Sequence, residues 1–439
     1  MDRLSTSWLA LSCLLAACVT TAHADPGMRA TIDARAKQLE SSLIALRRDF
    51  HAHPELGNRE QRTSARVAER LRALGLEVRT GVARTGVVAV LRGGKPGRVV
   101  ALRADMDGLP VKEQVALPFA STDKGDFRGR ESELMHACGH DGHVAILLTV
   151  AEILAGMRAR LPGTVVFYFQ PAEEGPSDFT PDGKNVWGAK MMIQEGAMDD
   201  PRPAAVFALH LWAGEPAGRI TYRSGPTMAS SDDLRIRIVG KQTHAGRPWA
   251  GIDPIVVSAQ VVLGLQTIIS RQTDITSTPT VVSVGTIHGG TRYNIIPESV
   301  EMEGTIRAYQ EPLRRATHER VRRTATHIAE ASGAQAEVQV IDKYDVTVND
   351  AALTERSLPS LRWAAANDVV LAPLGGGAED FSFMAERTPG FFFHLGVTPR
   401  STNVEQAAPN HSPLFYVDES ALIVGVRALA ALATDFLTK

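Results

Sequence analysis

Cysteine is nearly absent from this chain. Three occur in 439 residues, at Cys13, Cys18 and Cys138, so no disulfide framework can organise the fold. An excess of one charge is absent too, since 47 basic and 49 acidic residues leave a formal net charge of −2. That excludes the basic surface of a nucleic-acid binder and the charge block of a solvating tail. Beyond the N-terminus we find no apolar stretch long enough to read as a membrane span. Internal repeats and low-complexity segments are also missing, which excludes repeat arrays.

What is present begins with a targeting segment. Arg3 supplies a positive n-region, 8–19 is an apolar run, and Ala22-His23-Ala24 before Asp25 is a cleavage pattern. Residues 1–24 therefore read as a signal peptide that sends the protein to the periplasm. A competing pattern, Leu15-Ala16-Ala17-Cys18, resembles a lipobox and would anchor the protein through a lipid on Cys18. Cleavage after Ala24 leaves Cys138 alone in an oxidising compartment. Such a cysteine is either buried and inert or held as a ligand or nucleophile.

The length predicts two or three domains. Helical spacing predicts helices over 30–50, 60–74, 140–157 and 189–194, and apolar β-rich runs predict strands over 86–91, 98–104, 164–169 and 204–209. Strands alternating with helices, with polar residues at the strand ends, imply an α/β fold with a doubly wound, at least partly parallel sheet. From about residue 221 the order becomes β-α-β-β-α-β, the ferredoxin-like pattern. This reads as a second domain inserted into the first. The α/β texture then resumes, with helices over 353–366 and 418–437 and a Gly375-Gly376-Gly377 loop between them. The expected division is 1–24, 25–221, 222–342 and 343–439.

One stretch concentrates chemistry. Residues 134–143 (LMHACGHDGH) hold His136, Cys138, His140, Asp141 and His143, a thiolate, imidazole and carboxylate set suited to a transition metal. Glu173, Glu174, His210 and His411 fall at other strand ends or loops. A two-metal site needs several protein ligands, one of them bridging, and an open position for water. Cys138, His140, His210, His411 and one of the two glutamates supply five ligands. The other glutamate is left to take a proton from a water whose pKa a metal lowers to roughly 7. His136 and His143 read as hydrogen-bonding partners behind the ligands or as core histidines. Cys138 acting as a nucleophile with a histidine base is a rival reading.

Eight stretches carry a resemblance: 51–57 (HAHPELG), 103–110 (RADMDGLP), 136–143 (HACGHDGH), 170–175 (QPAEEG), 243–254 (THAGRPWAGIDP), 293–298 (YNIIPE), 376–381 (GGAEDF) and 411–413 (HSP). Together, and in this order, they resemble the metal-dependent amidohydrolases of the aminoacylase and carboxypeptidase superfamily. The most similar branch includes hippurate hydrolases and plant auxin-conjugate hydrolases. The resemblance implies that Cys138 bridges two divalent ions (zinc, manganese, cobalt or nickel), where other branches use an aspartate. His140 and His210 would complete one ion, and Glu174 and His411 the other. Glu173 would be the general base and acid, and Asp107 would orient the site from behind. Asp105 stands where other branches carry a histidine ligand, a place His140 would fill.

The resemblance further implies that the inserted domain is a lid and dimerisation domain of a homodimer. His244 would reach from the partner subunit to the developing oxyanion. Asn294 and Arg307 would hold the substrate carboxylate, Arg307 through its planar fork. One departure is the loop 175–187 (GPSDFTPDGKNVW), which looks longer than in the plant-like members. It is expected to bring Phe179 and Trp187 near the active-site mouth and to shape the substrate pocket. The implied activity is cleavage of the amide bond of an N-acyl amino acid, a hippurate-like or related conjugate, or of a related dipeptide, by an activated water. A dipeptidase or carboxypeptidase of the same superfamily is the alternative, and a non-catalytic extracytoplasmic binding protein is a more distant one.

Overall fold

The computed structural model describes residues 26–438. The leader 1–24, with Cys13 and Cys18, lies outside the described residues. An eight-stranded mixed sheet organises the larger part of the molecule. Its strands run in the order Glu77–Val82, Gly86–Arg92, Pro162–Gln170, Lys95–Asp105, Val206–Pro216, Gly390–Thr398, Ile220–Tyr222 and Val369–Leu371. The four in the middle are parallel.

Alternating side chains give this sheet two buried faces. Along Pro162–Gln170, Val165, Phe167 and Phe169 join one core with the helices Pro26–His51, His140–Gly156 and Leu422–Thr438. Val166 and Tyr168 join a second core with Met192, Phe381 and Phe392. This is the doubly wound arrangement, buried on both sides.

The sequence reading missed the strand Gly390–Thr398, although every residue in it is buried. Its run GFFFHLGVT between two prolines, apolar but for His394 and Thr398, is close to the near-continuous apolar pattern of a central parallel strand. Glu77–Val82, the helix Phe381–Arg387 and the polar hairpin Lys124–Phe127 with Arg130–Glu133 also went unread. The strand expected over 204–209 continues to Pro216. His210 therefore lies within a strand, paired in register with His394.

The second sheet has four antiparallel strands in the order Thr280–Gly289, Ser299–Ala308, Ser231–Val239 and Gln335–Tyr344. Helices Pro254–Gln272 and Glu311–Ala331 pack on it, giving the ferredoxin-like topology. Leu234, Ile236 and Ile238 alternate inward to meet Val257, Val261, Val321 and Ala325. Asp253 caps the first helix by accepting hydrogen bonds from the N–H groups of Ile255 and Val256, with Pro254 opening the first turn.

Two helices correct the expectation about apolar runs. Pro254–Gln272 and Glu419–Thr438 are long and apolar enough to cross a membrane by length and composition. The second is a core helix, 83% buried over its most apolar window. Its charged residues Arg427 and Asp435 pair with Asp33 and Arg29 of the first helix.

Candidate active site

The carboxyl ends of the parallel strands converge on one cleft, where open α/β sheets hold ligands. Lys95–Asp105 delivers Asp105 and Asp107, and Pro162–Gln170 delivers the turn with Glu173 and Glu174. Val206–Pro216 presents His210. The N-terminus of the helix His140–Gly156 presents His140 just after Cys138, and His411 comes from the loop before the last helix.

Cys138 Sγ lies 3.3 Å from His210 Nε2 and 3.2 Å from His411 Nε2. His411 Nε2 is also 2.9 Å from Glu174 Oε1, and His140 Nε2 is 4.0 Å from Glu173 Oε2. The ligand atoms of Cys138, His140 and His210 lie within 4.8 Å of one another, and so do those of Cys138, Glu174 and His411. The two groups share the cysteine. Sulfur–nitrogen separations of this size suit a metal bonded at roughly 2.3 Å to sulfur and 2.0–2.1 Å to nitrogen.

The tautomers support the same reading. His140 Nδ1 bonds the Asp107 carbonyl at 2.8 Å, and its Nε2 is buried without a hydrogen-bond partner. His210 Nδ1 bonds the Leu211 carbonyl at 2.8 Å. In each ring the committed nitrogen leaves Nε2 with a free lone pair aimed into the cluster. An orphaned buried nitrogen beside a thiol and a carboxylate fits a divalent cation at this place. His143 is different: Nδ1 meets Asp105 Oδ1 at 2.5 Å and Nε2 accepts the Leu211 N–H at 2.8 Å. Asp105, His140 and His143 also approach within ligand distance, but His143 has no lone pair left. His136 is buried with neither nitrogen bonded, and burial pushes it down to about 3. It belongs to neither ligand group.

Electrostatics separates the two glutamates. Burial, with Glu379 and Glu174 nearby, pushes Glu173 well above the usual carboxylate range. Burial acts on Glu174 as well, but its contact with His411 outweighs this and holds it below that range. Two adjacent carboxyls driven apart are a pattern of divided labour, one holding charge and one exchanging a proton. Burial and the same glutamates push the Cys138 thiol well up. A thiol so placed is no free nucleophile, and it becomes a thiolate when a cation compensates it.

Residues 101–435 match Peptidase family M20/M25/M40. The chain belongs to this family. It is 41% identical over 408 residues to a thermostable carboxypeptidase of Saccharolobus solfataricus, covering 92% of this chain and 97% of that one. It is 38% identical over 405 residues to an N-acetylcysteine deacetylase of Bacillus subtilis, covering 91% and 98%. A crystal structure of a Bacillus subtilis dinuclear metal binding peptidase of the M20 family superposes with a TM-score of 0.74 at 35% identity, covering 92% and 99%. The family resemblance read from the motifs is thus correct, and this M20 protein is a hydrolase.

Around the cluster, Arg103 explains two of the motifs. It is fully buried and bonds Gln170 at 2.8 Å, Asp105 at 2.6 Å, Glu379 at 2.8 Å and Asp380 at 2.9 Å. Glu379 and Asp380 of GGAEDF are therefore partners of a buried cation, a role the sequence reading did not assign. Asn410 was also unassigned. Its Nδ2 donates to the carbonyls of Cys138 and Leu211 at 3.1 and 3.0 Å, and its Oδ1 accepts the Ala213 N–H at 3.0 Å. It pins the cysteine loop to the His210 strand, and only its position beside His411 hinted at this.

Arg307 lines the same cleft of about 320 Å³, with Glu173, Trp212, His394 and His411. It is half-buried, and burial lowers its pKa. His244 and Asn294 do not line the cleft in this chain. His244 is exposed, on a short pairing of Thr243–His244 with Ile295–Ile296, and Ala245 N–H bonds the Asn294 carbonyl at 3.0 Å. Of the two rings that the loop 175–187 was expected to bring to the mouth, Trp187 does not line the cleft. Trp187 is buried against Phe179 and Tyr344, behind the cleft wall rather than at its mouth. Three aromatic rings packed on one another bury more apolar area than they would facing solvent.

Glu60 makes a pH prediction. Its Oε1 accepts the Ala172 N–H at 2.7 Å beneath the Glu173 turn, and Thr85 Oγ1 bonds its Oε2 at 2.6 Å. Burial, then Asp107, raises its carboxyl from 4.5 to about 8. Between those values the unfolded chain has released the proton and the folded one keeps it, so this group's contribution to stability falls as pH rises. Glu60→Gln preserves an acceptor for Ala172 and removes the titration. Thermal melts at pH 5 and pH 8 should show a smaller decline in the variant, and an equal decline would clear Glu60 as the source.

Proposed function

We propose that this M20 hydrolase cleaves the amide bond of N-acyl amino acids, using two divalent ions held by Cys138, His140 and His210 and by Cys138, Glu174 and His411. The observation that carries this is a spare carboxylate, Glu173, beside a complete ligand set, with Arg307 in the same cleft. Bound ions would polarise the scissile carbonyl and make a water acidic enough to be deprotonated at neutral pH. Glu173 takes the proton of the attacking water and passes it to the leaving nitrogen as the C–N bond breaks. Arg307 receives the carboxylate of the amino-acid half, with Asn294 as a further polar contact. Asp107 keeps His140 and both glutamates in place. Cysteine and histidine ligands suit zinc, with manganese, cobalt and nickel as the other candidates.

His244 and Asn294 reach a cleft, in this reading, when a second copy of the chain docks. The helix Pro254–Gln272 exposes Ile255, Val256 and Leu263, and Thr280–Gly289 is an edge strand of the second sheet. An apolar helix face beside an open edge suits a homodimer. Subunit exchange between inactive variants is its test. The leader reading places this dimer in the periplasm, and mass spectrometry of the mature N-terminus distinguishes cleavage after Ala24 from a lipid on Cys18.

The carboxypeptidase relative favours a second reading, in which peptides are the substrates. A panel of N-acetyl and N-benzoyl amino acids run against dipeptides decides between them. We expect kcat/KM to be at least about tenfold higher for the best N-acyl amino acid. Faster dipeptide cleavage would replace the proposal with the peptidase reading, and no turnover of either class would revive a binding protein.

A further inference from the structure

The turn carrying the general base is gripped by side chains from three separate places. Ala172 and Gly175 adopt left-handed conformations at φ +50° and +110°, so the turn needs support to hold its shape. Glu60 takes the Ala172 N–H at 2.7 Å, and the two Asp107 oxygens take the N–H groups of Glu173 and Glu174 at 3.1 and 2.9 Å. The Glu173 carbonyl remains, and it accepts a hydrogen bond from the Tyr344 hydroxyl at 2.5 Å.

That carbonyl and the Glu174 N–H belong to one rigid peptide plane. Tyr344 holds one edge of the plane and Asp107 the other. The plane joins the proton-transferring carboxylate to the metal-binding one, so its tilt sets the direction of both. Tyr344 is also the last residue of the strand Gln335–Tyr344, paired with Ser231 where the second sheet begins. Its buried ring meets Trp187 at 6.4 Å, and Trp187 meets Phe179 at 6.2 Å. The inserted sheet and the loop 175–187 thus both bear on the Glu173 turn through one phenol.

We propose that Tyr344 is a positioning residue that sets the aim of Glu173 and couples the placement of the inserted sheet to the catalytic turn, with Trp187 bracing its ring. The loop then acts on the rate of the reaction and not on the choice of substrate. This rests on Glu173 as the general base.

Tyr344→Phe keeps the ring packing and removes only the bond to the carbonyl. With the fastest N-acyl amino acid of the panel and matched metal content, the single-turnover rate should fall about tenfold while KM stays within about twofold. A purely structural role would lower the melting temperature and leave the rate per folded molecule unchanged. A wild-type rate in Tyr344→Phe overturns the proposal. Should that variant fail to fold, Trp187→Leu decides on the same terms: about threefold or more off the rate with KM unchanged supports it, and a wild-type rate overturns it. Glu173→Gln, run alongside, keeps the two claims apart. An active Glu173→Gln enzyme removes the general base itself, whereas an inactive one with Tyr344→Phe at full rate removes only the positioning role.

Discussion

Glu173→Gln should reduce turnover by about 10³-fold or more while both metals stay bound. The substitution keeps the volume of the side chain and an acceptor oxygen, and it deletes the basicity. Metal content should survive because Glu173 is in neither shared-cysteine group, although it shares ligand distance with His140 and Glu174 and lies 4.0 Å from His140 Nε2. The proposed ligands are tied down without it: His140 by Asp107, His210 by the Leu211 carbonyl, and Glu174 by His411. Elemental analysis and steady-state kinetics on one preparation are the check. Normal activity would end the general-base assignment, and loss of metal along with activity would make Glu173 a ligand instead. The same protein serves the dimer proposal. Mixed with His244→Ala and allowed to exchange subunits, it should recover about a quarter of wild-type activity, because half the dimers are hybrids and each hybrid assembles one intact site.

Cys138→Ser should strip the site of metal after dialysis and lower activity by about 10²-fold or more, beyond the usual loss for a residue that only supports a ligand. Cys138 Sγ is the one atom common to both groups, with His210 and His411 Nε2 at 3.3 and 3.2 Å from it. A serine hydroxyl gives up its proton far less readily than a thiol, so it offers no bridging anion. Cys138→Asp, which supplies an anion again, should retain more metal than the serine variant. Full metal occupancy and rate in Cys138→Ser would show that the thiolate bridges nothing. The rival nucleophile reading predicts that alkylation inactivates and chelators do not. A thiol whose pKa burial has raised so far argues for the reverse.

Much of the site was legible because its residues announce themselves by type. Cysteine, histidine and paired glutamates at strand ends are uncommon enough that their chemistry could be read from the order of the chain. Elements with strong periodicity were equally plain, including both helices and all four strands of the second sheet. What escaped was of two kinds. Gly390–Thr398 carried a readable signal, a mostly apolar run interrupted by His394. Asn410 carried only its place beside His411, and Tyr344 and Glu60 carried none, because a tyrosine ending a strand or a glutamate before a helix looks the same wherever it points.

The sequence by itself determined which chemical groups are available: one cysteine beyond the N-terminal segment, imidazoles and carboxylates at strand ends and loops, and the family to which they belong. Those follow from residue identity and spacing, which no packing can alter. Only the tertiary structure decided which of them act together. His136 and His143 have the same side chain as His140, yet one has no partner and the other has both nitrogens committed. Glu173 and Glu174 are neighbours in sequence, and burial against an ion pair with His411 makes them different acids. Trp187 was expected at the mouth of the pocket and lies behind its wall. Each of these outcomes depends on which atoms meet within a few ångströms, and contacts that close join residues from tens to more than two hundred positions apart.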